Sequence, residues 1–255
     1  MQKKPTPATE LMSGLTKGLA VIEALSAKGQ QMTIAEVARA TNLTRATARR
    51  CLLTLSDCGY LVFDGKYFQP APKIMRLGMA YLNVATLPQI AQPFLVSACE
   101  QLNETISITI LEGQNSVFIA RAEAEHIVKI GLRVGARLPA YSCATGRVLL
   151  STYSDTALTE YLDNCDLVVN TPKTIVEKST IRQAIEDVKK IGYAVTNEEL
   201  ALGMRSIATP VRNPSGEIIA AMSASAFVNR VSQKEMIKKF LPVLLQQSQA
   251  LTNAL

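Results

Sequence analysis

Hydrophobic positions in the first quarter of the chain return at helical spacing in three separate runs. "LTKGLAVIEALSA", Leu15 to Ala27, sets Leu15, Leu19, Ile22 and Leu25 on one face, and Gly29 supplies a stop. The second run, "TIAEVARATN", opens at Thr33 with Glu36 three positions on. That is a capping box, in which hydroxyl and carboxylate satisfy each other's free backbone donors. It ends at Asn42, a side chain that tolerates the left-handed backbone a tight inter-helix turn needs. Thr44 caps the third helix, which runs to about Asp57. After Gly59 the period falls to two. In "YLVFDGKYFQ", β-branched and aromatic runs flank Asp64-Gly65, the signal for a two-residue hairpin. Helix, helix, short turn, helix and hairpin in this order predict a winged helix-turn-helix.

Pro70 and Pro72 break the chain, and "KIMRLGMAYLNVATL" resumes helical periodicity as a linker helix bounded by Pro88. A helix then starts at Pro88. "ISITILEGQNSVFIARAEA" follows as a hairpin turning at Gly113-Gln114-Asn115, and "HIVKIGL" as a further strand. The loop "RVGARLPAYSCATG" leads into a helix at "RVLLSTYS". Another helix covers about Glu177 to Ile191. "MRSIATPVRNPSGEIIAAMSASAF" is a strand pair closed at Asn213 to Gly216, and Val231 to Leu255 is the last helix. The pattern is α+β, an antiparallel sheet flanked by helices. The expected boundaries are a flexible tail at 1–10, the winged helix-turn-helix at 11–71, the linker helix at 72–87 and a second domain at 88–255.

Charge changes the picture for the first domain alone. The chain's formal net charge is +6. Residues 1–80 hold 11 Lys and Arg against 5 Asp and Glu, whereas residues 81–255 balance at 16 and 16. A basic module joined to a neutral one points to a polyanion partner for the first and something else for the second. A basic N-terminal tail beside an ordinary domain gives the same balance. Cys51, Cys58, Cys99, Cys143 and Cys165, with no C-x-x-C pair, suit a reducing cytoplasm better than a disulfide framework. The longest apolar stretch, Ile218 to Val228, is too short for a membrane helix, and "MQKKPTPATE" has no signal-peptide core. A soluble cytoplasmic protein is expected.

On a wheel at 100° per residue, the third helix buries Ala48, Cys51, Leu52 and Leu55. Arg49, Arg50 and Ala46 lie on the opposite arc, flanked by Thr47, with Thr44 and Arg45 in the first turn. Guanidinium forks suit guanine edges and phosphates, and threonine or alanine methyls suit thymine. These six, with Lys66 at the hairpin tip, are the candidate DNA contacts. The alternative is an amphipathic helix whose arginines only hydrate its outer face.

Little supports catalysis. One histidine, His126, rules out multi-His metal sites, and no phosphate loop, H-E-x-x-H or G-x-S-x-G is present. No catalytic residue, metal or cofactor is expected. Cys143, beside a helix start, is the one conceivable activated thiol. The second domain offers instead a pocket for a small organic acid. "SCATG", Ser142 to Gly146, brings small residues to a helix N-terminus, and Ser223 and Ser225 alternate on one strand face with Ser206 alongside. A solvent-facing serine row and a simple cap fit the same spacing. Three functions remain: a ligand-responsive transcription factor, an enzyme on a small organic acid with an accessory basic domain, and a non-DNA ligand-binding adaptor.

"LTKGLAVIEAL", "TIAEVARATNLTRATARRCLLTLSDCGYL", "RLPAYSCATGRVLL", "EELALGMRSIATPV" and "SASAFVNR" together resemble, in order, the blocks of the IclR family of bacterial transcription regulators. More closely, "TKGLA", "ARR" in the third helix and "LPQIAQPFL" resemble its branch controlling protocatechuate and 4-hydroxybenzoate breakdown through the β-ketoadipate pathway. The resemblance implies a GAF/PAS-like effector domain, a homodimer or dimer of dimers, a double-stranded operator, and an effector such as protocatechuate, 4-hydroxybenzoate or β-ketoadipate. Carried over block by block, effector contacts would be Ile130, Ala144, Thr145, Thr196, Ser206, Ser223 and Ser225. Three positions depart from the family: Asn42 replaces a usual glycine, Ser206 a cysteine of some members, and Thr196 an acidic residue of others.

Overall fold

The computed structural model describes residues 11–28, 30–84, 86–125 and 132–255; the expected tail, Gly29 and most of "HIVKIGL" lie outside them. The chain divides into two compact units between Val84 and Ala85.

In the first unit, α1 (Ser13–Lys28), α2 (Ile34–Ala40) and α3 (Arg45–Asp57) are followed by β1 (Leu61–Phe63), β2 (Phe68–Pro70), a 3-10 turn and α4 (Met75–Val84). The expected capping box forms: Thr33 N–H donates to Glu36 Oε2 at 2.9 Å, and Glu36 N–H to Thr33 Oγ1 at 3.4 Å. Asn42 has a φ of 51°, and Leu43 N–H closes the turn onto Ala38 O at 3.0 Å. Val21, Leu25, Val37, Ala48, Leu52 and Phe68 are the apolar centre that fixes α3. Met32 and Phe68 exchange backbone hydrogen bonds, tying the α1–α2 connection to the wing. The hairpin differs from the expected Asp64-Gly65 tip. Phe63 pairs with Phe68, so four residues connect the strands. The Asp64 carboxylate takes the N–H of Lys66 at 2.9 Å and of Tyr67 at 2.7 Å, an Asx turn in place of a plain backbone turn.

The second unit starts with α5 (Thr86–Leu102), two residues before the expected boundary at Pro88. A proline in the first turn interrupts nothing, because its missing N–H would have had no intrahelical acceptor. Then come β3 (Thr105–Glu112), β4 (Asn115–Ala122), β5 (Arg137–Pro139), α6 (Ala144–Leu150), α7 (Asp155–Asn164), α8 (Lys178–Ile191), β6 (Ala194–Asn197), β7 (Met204–Arg212) and β8 (Ile218–Phe227). The chain closes with α9 (Gln233–Glu235), a π turn at Met236–Phe240 and α10 (Leu241–Ala254). Pro242, without an N–H to donate, sits just after the π turn, so the expected last helix runs on from Gln233 to Ala254 with a π bulge inside it. The β3–β4 turn is tighter than expected: Glu112 pairs with Asn115, leaving Gly113-Gln114 as the connection, with Gly113 at a φ of 57°.

The six strands are antiparallel in the order β5-β4-β3-β8-β7-β6. One face carries Ile106, Ile108, Ile207, Met222 and Ala224 and packs on Leu95 of α5 and on Leu244 and Leu251 of α10. The opposite face is partly covered by α6, whose Ala144 and Val148 meet Ala208 and Ala221. α6 can fold this closely back on the turn that precedes it, Ala140–Ser142, only because of Gly146. A Cβ there would run into the backbone of Ala140. Gly146→Ala is therefore expected to destabilise the second unit by about 3 kcal/mol, the upper end of overpacking costs. A urea midpoint equal to that of the unsubstituted protein would contradict this contact.

Candidate nucleic-acid interface and effector cavity

The outer face of α3 is set by its cap. Thr44 Oγ1 accepts from Thr47 N–H at 3.2 Å and donates to Thr47 Oγ1 at 2.9 Å, which fixes the first turn before any partner arrives. Ala48 and Leu52 are buried, Cys51 and Leu55 half-buried, and Thr44, Arg45, Ala46, Arg49 and Arg50 are exposed. Thr47 is half-buried. Among the described residues no carboxylate pairs with Arg45, Arg49 or Arg50. Lys66 is exposed on the wing, its Nζ 4.9 Å from the centre of the Tyr67 ring. The six helix positions thus form one surface with unpaired guanidinium groups around a small residue, and the wing carries the seventh.

In the second unit, six of the seven expected effector positions line one cavity of about 370 Å³: Ala144, Thr145, Thr196, Ser206, Ser223 and Ser225. Ile130 lies outside the described residues. Strand register explains the gathering. Thr196, Ser206 and Ser225 are cross-strand neighbours on β6, β7 and β8, and Ser223 lies two residues along the same face. Ser206 and Ser225 share a hydrogen bond of 2.8 Å. Above this polar floor, Thr145 at the start of α6 bonds Ser116 at 2.8 Å. Phe118, Leu138, Pro139 and Met204 make the remaining wall largely apolar. A mostly apolar cavity with few convergent hydroxyls is the usual form of a small-molecule site.

Sequence reasoning missed the charged element of this wall. Glu199, in the loop after β6, closes on Arg147 of α6 through two bonds, Nη1 to Oε1 at 2.9 Å and Nη2 to Oε2 at 2.6 Å. Arg147 Nε also donates to Tyr141 O at 3.0 Å, and both side chains are about 95% buried. Thr171 and Thr174 hold the loop by donating to Glu198 O at 2.7 Å and Glu199 O at 2.6 Å. Nothing in the spacing of Arg147 and Glu199, 52 positions apart, reveals this pair. α7 and β6 were missed as well, and β5 lies in what the pattern gave as loop.

Cys143 is not an activated thiol. It is buried as the N-cap of α6, its Sγ accepts from Gly146 N–H at 3.3 Å, and burial pushes the thiol above its usual range. That bond also occupies a donor which the sequence reading left open to an anion. With an aromatic disulfide reagent, exposed Cys58 should react in the native protein and Cys143 only after denaturant is added. Rapid native-state modification of Cys143, located by peptide mapping, would contradict its placement. Among the described residues no group of His, Cys, Asp or Glu could hold a metal, and no helix is long and apolar enough to cross a membrane.

A basic winged helix-turn-helix unit and a helix-flanked sheet enclosing a hydroxyl-floored cavity define the class: a DNA-binding regulator with a small-molecule sensor. The chain belongs to the IclR family, residues 14–65 matching the IclR helix-turn-helix domain and residues 79–253 the bacterial transcriptional regulator IclR C-terminal domain. It is 40% identical to the Pca regulon regulatory protein of Pseudomonas putida over 96% of this chain and 85% of that protein. It is 35% identical to the p-hydroxybenzoate hydroxylase transcriptional activator of Acinetobacter baylyi, over 96% and 92%. Among solved structures, the inducer-binding domain of a double mutant of the PobR transcription factor from Acinetobacter, in complex with 3-hydroxybenzoic acid, is 34% identical with a TM-score of 0.64. That match covers 67% of this chain and all of that one. These relatives regulate transcription, and the chain is a regulator, not an enzyme.

Proposed function

We propose that this chain binds operator DNA through Thr44, Arg45, Ala46, Thr47, Arg49, Arg50 and Lys66, and that a small organic acid in the second unit's cavity sets its operator affinity. The genes it governs are those of aromatic acid breakdown, and the effector is protocatechuate, 4-hydroxybenzoate or β-ketoadipate. Names of the two curated relatives and the hydroxybenzoate held by the Acinetobacter inducer-binding domain support that choice. It acts in the cytoplasm as a homodimer or dimer of dimers, so that two α3 helices meet successive major grooves.

The observation that carries this reading is the surface of α3, where three arginines stand exposed and unpaired among the described residues around Ala46. An arginine that merely hydrated a helix would not need a capped, small-residue surface beside it. Selection from random duplex DNA followed by anisotropy titration is the test. The expected result is an enriched pseudo-palindrome whose affinity falls steeply with salt and changes when one of the three acids is added. Binding without sequence preference, unaffected by all three acids, would contradict it.

A further inference from the structure

Among the described residues the one charged side chain lining the cavity, Glu199, is already closed on Arg147. An organic acid entering this space would bring a negative charge that no free cation among the described lining residues meets. The rest of the same sheet face supplies one.

Two buried side-chain atoms lack a hydrogen-bond partner among the described residues: Arg121 Nε and Thr109 Oγ1. Strand register puts both on the cavity face. Ser223 pairs with Ser107, and Ser107 with Arg121; Thr109 pairs with Phe118. Arg121 and Phe118 are three residues apart and would normally point to opposite faces of a strand. They share a face because the register shifts between Ile108 and Thr109, leaving Ile119 without a partner. The bulge thus turns Arg121 toward the cavity side, its Cζ 5.4 Å from the centre of the Phe118 ring that lines the wall. Arg121 stands two strand spacings from Ser223, about 10 Å, a gap that an arginine side chain largely covers.

A guanidinium in this setting is unusual. Its side chain is 6% exposed, and Glu123 Oε1 stands 3.7 Å from Nε, too far for a hydrogen bond and on a side chain 45% exposed. Burial lowers its proton affinity, with Glu123 only partly opposing this. Buried donors left unmade are costly, and they persist where a ligand completes them.

We propose that Arg121 is the carboxylate anchor of the effector cavity. Its fork takes the acid group of the ligand, the ring lies along Phe118, and the Ser206–Ser225 pair takes a hydroxyl at the far end. This rests on reading the cavity as an acid-binding effector site, and it names the group that distinguishes acids from uncharged analogues.

The test is calorimetric titration of the full chain, unsubstituted and as Arg121→Gln, with 4-hydroxybenzoate, protocatechuate and their primary amides. The unsubstituted protein is expected to bind an acid and to prefer it to its amide. Arg121→Gln should weaken acid binding by about 10- to 100-fold, the range for a hydrogen bond to a charged group. It should leave amide binding and the circular dichroism unchanged. If the glutamine variant fails to fold, Arg121→Lys carries the test: it keeps the charge but not the fork, and should retain the acid preference at several-fold lower affinity. An acid preference undiminished in a folded Arg121→Gln, or full affinity in Arg121→Lys, overturns the anchor and leaves the effector cavity standing. Failure of the unsubstituted protein to bind any of the four compounds, or β-ketoadipate titrated alongside them, removes both.

Discussion

Replacing Glu199 by alanine is expected to destabilise the second unit by about 3–5 kcal/mol, the cost of stranding a buried charge. The Arg147 guanidinium would keep its bond to Tyr141 O but lose both bonds to the carboxylate, in surroundings that leave it about 5% exposed. The cost belongs to the uncompensated charge more than to the pair itself. A double substitution, Arg147→Met with Glu199→Leu, should therefore be more stable than Glu199→Ala alone, because it removes both charges while keeping apolar volume. Urea unfolding of the set measures this. A Glu199→Ala variant within about 1 kcal/mol of the parent would show that water reaches the guanidinium and that the loop is not closed as described. The same substitution should also weaken effector binding, since Glu199, Leu200 and Ala201 form one side of the cavity.

The second large effect falls on the first unit. Arg49→Ala and Arg50→Ala are each expected to weaken binding to the selected operator by about 1–3 kcal/mol where the fork meets a base edge. An arginine that meets phosphate instead should give a nearly uniform loss across sequences and a salt slope reduced by about one. Thermal stability should barely move, because both side chains are exposed and substitutions at such sites stay within about 0.5 kcal/mol. The pairing of lost affinity with unchanged stability separates a recognition surface from a solvated helix face. Operator affinity and salt slope unchanged in both variants would leave the arginines as ordinary surface charge.

The first unit was legible in the sequence because its signals are local. Capping box, turn asparagine and N-cap threonine each act within four residues, and each appears at its expected place. The wing connection has four residues where the sequence predicts two, because a side chain, Asp64, took backbone donors that the turn rule gives to carbonyls. In the second unit, β7 and β8 were legible as a pair, since Asn213 to Gly216 mark a turn between long alternating runs. The serine row was legible for the same reason. β6 and β5 were not: at four and three residues they are too short to show a period. Arg121 was invisible for a further reason. Its direction depends on the bulge at Ile119, and that irregularity arises from the pairing of two strands, which no single-strand pattern encodes.

The proposed function couples a DNA surface on the first unit to an acid held in the cavity of the second. Coupling of this kind is reciprocal: whatever factor the acid applies to operator affinity, the operator must apply to acid affinity. Calorimetric titration of the acid into the full chain, with and without saturating operator duplex, measures it directly. The account predicts two different dissociation constants, in the same ratio as the operator affinities with and without acid. Identical constants for free and operator-bound protein would contradict it.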